Sequence, residues 1–191
     1  MTFKLRIRPI DPKTVDRRAV AVHEAAHCLV AAYLGARDIS PTIYRRGITR
    51  VIFLSPGQAE LVAWAGYFAD ITISSLSKVE AHNRSRKDFK IALTAMAASV
   101  ESPTGRGKAL KDCPVRAKDL VNRFKAEINS LATLLEQKET PSRLEFEELA
   151  CIKQVREIRI AERKAKERKE PQLKKETSNR SKSTRKKKSK A

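Results

Sequence analysis

No run of about 18 consecutive apolar residues occurs anywhere in the 191 residues, so nothing in the chain reads as a transmembrane helix. Met1 to Ile10 alternates basic and apolar residues and lacks the apolar centre of a signal peptide, which sets the expectation of a soluble, cytoplasmic protein. Cysteine is scarce: the three present, Cys28, Cys113 and Cys151, show no CxxC spacing and cannot pair as an even framework. That composition fits a reducing compartment. Nucleotide-binding words are missing too. Gly105-Arg106-Gly107-Lys108 lacks the spacing of a P-loop and its closing Ser or Thr, so no ATPase is expected.

Acidic residues are outnumbered 22 to 41 by Lys and Arg, a formal charge of +19, and the excess is uneven. Residues 152–191 hold 17 Lys and Arg against 5 Glu, while the rest of the chain carries only +7. A basic appendage on a mildly basic globule is the simplest reading, and such an appendage binds polyanions such as nucleic acid through charge, without sequence preference.

Histidine is as scarce as cysteine, and two of the three fall in one word, His23-Glu24-Ala25-Ala26-His27, inside the apolar run Ala19 to Leu34. Residues four apart share a helix face, so the two imidazoles converge on one ion. Glu24 lies about 100° round from His23, where its carboxylate reaches a water in the open position of a zinc site as general base. The competing reading is a pair of structural histidines with ordinary partners. Two buried rings need such partners wherever no metal is bound. Cys28 adjoins His27 but points away from it around the helix, which suits packing rather than ligation.

The remaining elements follow from periodicity. Thr2 to Pro9 reads as an edge strand or extended arm. Asp11-Pro12 offers an N-cap and first helical residue for a helix ending at Leu34, with Gly35 as its stop. Ile39 to Arg46 and Ile48 to Leu54, either side of Gly47, read as a small sheet beside the metal helix. It either holds an extended substrate or only covers the helix. A helix over Gln58 to Phe68 is followed by the ambiguous stretch Asp70 to Leu76, and a basic-polar connection over Lys78 to Lys87 leads to a helix from Lys87 to Val100. On that helix Asp88 shares an apolar face with Ile91, Ala92 and Ala95; a carboxylate so placed needs a metal or an arginine. His82 and Glu80 stay open as alternative third ligands, because other HExxH families take a downstream His or Glu. Glu101 to Pro114, with two Gly and two Pro among its residues, reads as a loop. Val115 to Leu135 reads as one long amphipathic helix, and Pro141-Ser142-Arg143-Leu144-Glu145 as a capping box opening the last helix. Beyond Pro171 the composition is that of a disordered tail.

In this order the parts resemble the peptidase domain of the FtsH-type membrane AAA zinc metalloproteases, and more closely the small stand-alone proteins carrying that domain alone. Arg18 to Val30 is similar to the family's zinc helix, Thr42 to Gly47 to its following strand and glycine turn, and Leu61 to Asp70 to its alanine- and glycine-containing helix. Lys87-Asp88-Phe89-Lys90-Ile91-Ala92 resembles the segment that supplies the third ligand. The resemblance implies zinc (Zn2+) held by His23, His27 and Asp88, with Glu24 as base. It also implies an α+β, predominantly α-helical fold, a zincin-like helical domain with a small β-sheet beside the HExxH helix. The implied organisation is an arm over 1–10, the peptidase-like domain over 11–152, and a charged helix and basic tail over 153–191. The expected function is a zinc-dependent metalloendopeptidase acting on unfolded or flexible proteins. The alternative is a nucleic-acid-associated binding protein with a structural or inactive zinc site.

Overall fold

A computed structural model of the chain describes residues 16–43, 48–52, 56–99 and 103–168. The N-terminal arm, Gly47 and the basic tail beyond 168 lie outside the described residues. The first helix, α1 (Arg17–Leu34), is apolar almost all round, and from Ala21 to Ala32 every residue is buried. A helix with no polar face must sit inside the other elements, and α1 packs against α2, α6 and both strands. Its cap is Asp16, whose side chain accepts from the Arg18 N–H at 2.9 Å, rather than the expected Asp11. Gly35 ends it at φ 83°, the left-handed conformation that suits glycine.

Strand β1 (Arg37–Thr42) and strand β2 (Ile48–Ile52) pair antiparallel, with Ser40 opposite Arg50 and Pro41 opposite Thr49. Helix α2 (Pro56–Thr72) runs past the expected end at Phe68, so Asp70 is helical and fully buried. The connection expected over 78–87 is largely helix α3 (Lys78–Arg84), opened by a Ser77/Glu80 capping box hidden in a run of charged residues. Helix α4 (Arg86–Ser99) follows, and it packs against α2.

The loop expected over 101–114 is also helical. Helix α5 (Pro103–Arg123) starts with a proline, whose fixed φ suits a first helical position, and carries Pro114 inside it. Two Gly and two Pro argue locally against a helix, but Cys113 and Ala117 pack on Leu61 of α2, with Trp64 and Phe68 beside them. Tertiary burial overrides propensity there. The long helix expected over 115–135 bends at Phe124 (φ −102°, ψ 24°) into α6 (Lys125–Lys138). Its apolar stripe survives the break, with Phe124, Ile128, Leu131 and Leu135 all at most 1 % exposed. Arg18 ties α1 to α6 through Asn129 Oδ1 at 2.9 Å and Glu136 at 2.7 Å. The Ser142/Glu145 capping box opens α7 (Arg143–Glu148), which ends at extended Leu149 instead of running on.

The chain divides into two compact units, Met1–Arg156 and Glu157–Ala191. The first closes with helical residues whose Ile152 and Val155 are buried. In the second, residues 157–168 are helical and mostly exposed. The described chain is predominantly helical, and none of its helices is long and apolar enough to cross a membrane.

Candidate metal centre

The helical spacing of α1 puts the His23 and His27 rings together, edge to face, with centroids 4.6 Å apart. Each ring is held from behind. His23 Nδ1–H donates to Asp70 Oδ2 at 2.9 Å, and His27 Nδ1–H donates to the Val62 carbonyl at 2.7 Å. A carbonyl can only accept, so the hydrogen of His27 sits on Nδ1 and its Nε2 carries a lone pair when the ring is neutral. In a neutral His23 the Asp70 carboxylate fixes the same tautomer. Both Nε2 atoms then point at one spot, 3.0 Å apart.

Asp88 of α4 completes the group. Its Oδ2 lies 3.2 Å from His23 Nε2 and 3.7 Å from His27 Nε2, while its Oδ1 is buried without any partner. Three acceptors facing one another at such distances repel unless a cation lies among them. The spacings bracket the roughly 3.3 Å between ligand atoms of a tetrahedral zinc with bonds near 2.0–2.1 Å. Among the described residues His23, His27 and Asp88 form the one such group of potential ligands. The donor set therefore fits a zinc ion.

Without a metal the cation must be a proton. Burial pulls the His23 pKa down, but the Asp70 and Asp88 carboxylates outweigh burial and hold it well above its ordinary value. Burial likewise pushes Asp88 up, and hydrogen bonds with both imidazoles outweigh it, leaving the carboxyl at about 2. Buried charges here are stabilised only by one another.

Glu24 lies beside this group without joining it. It is 2 % exposed, and its Oε2 accepts from the Thr49 hydroxyl of β2 at 2.5 Å. Burial raises its pKa, while the imidazoles of His27 and His23 and the Thr49 hydrogen bond pull the other way. A carboxylate with a raised pKa, fixed by a hydroxyl next to two imidazoles, has the properties of a general base.

His82 and Glu80, the other candidates for a third ligand, are exposed on α3 and outside the group. The His82 ring rests on Phe89 with centroids 5.0 Å apart, and the Glu80 carboxylate accepts from Ser77 as part of the cap. Four contributors were not foreseen: Asp70, Val62, Thr49 and Gly66. A Cβ on Gly66 would fall 2.5 Å from His23 Nε2 and 2.7 Å from His27 Nε2, so only glycine lets α2 approach the rings. The available signal was the spacing of Val62, Gly66 and Asp70, every fourth residue on one helix face, with a glycine in mid-helix that needs a reason. Arg84 of α3 donates to the remaining oxygen of Asp70 at 3.2 Å. No protein-family model matches the chain, and no curated protein matches it closely enough to name a relative.

Proposed function

We propose that the chain is a zinc-dependent peptidase of the FtsH-type class, in which His23, His27 and Asp88 hold the metal and Glu24 is the base. The observation carrying this reading is the convergence of two Nε2 lone pairs and one carboxylate oxygen, with a separate carboxylate next to them and no fourth protein ligand among the described residues. A zinc ion held there supplies Lewis acidity and a bound water with a pKa near 7. The protein's own groups do the rest. Asp70 and Val62 fix the imidazole tautomers, and Thr49 aims Glu24, whose carboxylate takes a proton from the attacking water and returns it to the leaving amine. Strand β2 thus supports this zincin-like reading as the strand that positions the base. Three unpaired thiols accord with a cytoplasmic setting.

His23, Glu24, His27 and Asp88 are at most 4 % exposed, so a peptide reaches them only after the covering segments move. The reading therefore entails slow cleavage of extended chains rather than of folded ones. That burial is also what favours a second reading, a nucleic-acid-associated protein with a structural metal, whose further support is the cationic segment over 152–191. Metal analysis of purified protein and cleavage of unfolded casein, each repeated with Glu24→Gln, separates the two. The peptidase reading expects about one zinc per chain in both proteins and casein cleavage only in the wild type. Equal activity in the two proteins removes it.

A further inference from the structure

On the side of α2 away from the histidines, a cavity of about 350 Å³ opens between Trp64 and Tyr67 of α2 and Phe89 and Met96 of α4. It shares His82, Phe89 and Leu93 with a shallower hollow of about 540 Å³ along α3 and α4, so the two form one groove. None of the residues lining either space belongs to the histidine cluster. The walls are aromatic: Trp64 and Phe89 have ring centroids 4.6 Å apart, and Tyr67 and Phe89 5.2 Å apart.

Three features fix what the groove is suited to hold. A large apolar side chain lies open along it, with Leu93 51 % exposed. Glu60 lines the cavity at 4 % exposure; burial raises its carboxyl, while the weakly donating thiol of Cys113 and the charge of Arg116 pull the other way. It therefore has room for a neutral donor. Arg86 and Lys90 line the outer hollow, both exposed, and neither is ion-paired among the described residues.

We propose that this groove docks an acidic peptide segment through a single Trp or Tyr: the ring enters the cavity, its N–H or O–H donates to Glu60, and neighbouring carboxylates meet Arg86 and Lys90. The cavity is at the small end of ligand pockets, about 300–1,000 Å³, which suits one large side chain. Tyr and Trp combine an apolar body with a polar tip, and such residues dominate protein interfaces. A lysine or arginine anchor would satisfy Glu60 but meets like charge at Arg86 and Lys90. A nucleic-acid strand would find the cations but bring phosphates towards a buried carboxylate.

The test uses the full chain at about 0.3 M salt, where Debye screening near 5–6 Å suppresses association through the basic tail. A fluorescein-labelled peptide of Asp and Glu around one Trp is titrated and followed by anisotropy, beside the same peptide with Trp→Ala. Docking in the groove makes the Trp-less peptide at least about tenfold weaker. Leu93→Asp, at an exposed position, and the double change Arg86→Glu with Lys90→Glu each weaken the Trp peptide by a similar factor. Circular dichroism and thermal melting confirm that both variants are folded. Equal binding of the two peptides, or wild-type affinity in both variants, overturns the proposal. So does an oligothymidylate that binds more tightly than the Trp peptide and loses its affinity in Leu93→Asp. Chelating the metal leaves every one of these measurements in place, so failure here is distinct from failure of the peptidase reading.

Discussion

Helix α2 buries a carboxylate on each of two faces, and the two are treated in opposite ways. Asp70, beside Gly66, has one oxygen on His23 Nδ1 and the other on Arg84, so donors enclose it. Glu60, beside Trp64, lines an apolar cavity, and burial raises its pKa against the weaker pull of the Cys113 thiol and Arg116. A buried acid is stable as an anion only where donors surround it; elsewhere it favours its neutral form. The first face is thus built around fixed charge and the second around space.

The sharpest way to break that contrast is to remove an imidazole. His23→Ala leaves Asp70 with Arg84 alone and Asp88 with His27 alone, and the weakened pairing of two buried carboxylates costs up to roughly 3–5 kcal/mol. Zinc content should fall from about one per chain to none in His23→Ala and in His27→Ala, with a lower melting temperature, because metal bound only by the folded state stabilises it. Glu24→Gln should keep both the metal and the melting temperature. Were Glu24→Gln to lose zinc as completely as the histidine variants, Glu24 would be a ligand and its assignment as base would fail.

The two faces were unequally legible in the sequence. Four-residue spacing is enough to bring His23 and His27 together, and the apolar stripe around Asp88 is enough to turn its carboxylate inward. Gly35 and the Ser142/Glu145 box mark their helix ends by local chemistry alone. Asp70 was hidden because it begins a β-branched stretch that reads as strand or helix equally well, and its partner is 47 residues away. Helix α5 was hidden because Gly and Pro weigh against it locally, while its packing on Leu61 is a tertiary fact. The groove was invisible for the same reason, since it exists only where α2, α3 and α4 meet.

Acidity sharpens the comparison at moderate cost. In metal-free protein Asp88 titrates at about 2 instead of 3.8, so its contribution is fully present above about pH 4 and is lost as pH falls towards 2, on the order of 2 kcal/mol. His23 runs the other way. Its raised pKa gives a contribution that is whole below about pH 6.5 and fades as pH rises through the higher folded value. Taken by themselves these two groups give chelator-treated protein a plateau between about pH 4 and 6.5 in urea titrations, on which the raised pKa values of buried Glu24 and Glu60 impose a decline above about pH 4.5. Zinc should remove the alkaline decline, since the metal displaces the His23 proton. Glu60 has the opposite sign to Asp88. Its raised pKa lowers stability as pH rises above about 4.5, so Glu60→Gln should flatten that part of the curve. A metal-free profile that rises steadily from pH 4 to 9 would show that the His23 proton is not holding the cluster together.

The smallest change that should still tell the faces apart is a single methyl group. In Gly66→Ala the new Cβ would sit 2.5 Å from His23 Cε1 and Nε2, and the rings cannot swing aside because Asp70 and Val62 hold their far nitrogens. Relief must come from α2 moving away from α1, an overpacking cost of about 1–3 kcal/mol, with zinc affinity reduced about tenfold or more as the supports shift. Gly57→Ala on the same helix is the control. Nothing lies within 4 Å of its Cβ, and Ala gains at most about 1 kcal/mol of helix propensity over Gly, less in a first turn, so stability should hold or rise slightly. Thermal melts and competitive zinc titration of the two variants measure the difference. If Gly66→Ala melts and binds zinc like Gly57→Ala, α2 has slack at the histidines, and the close approach of helix to ring is not what positions the site.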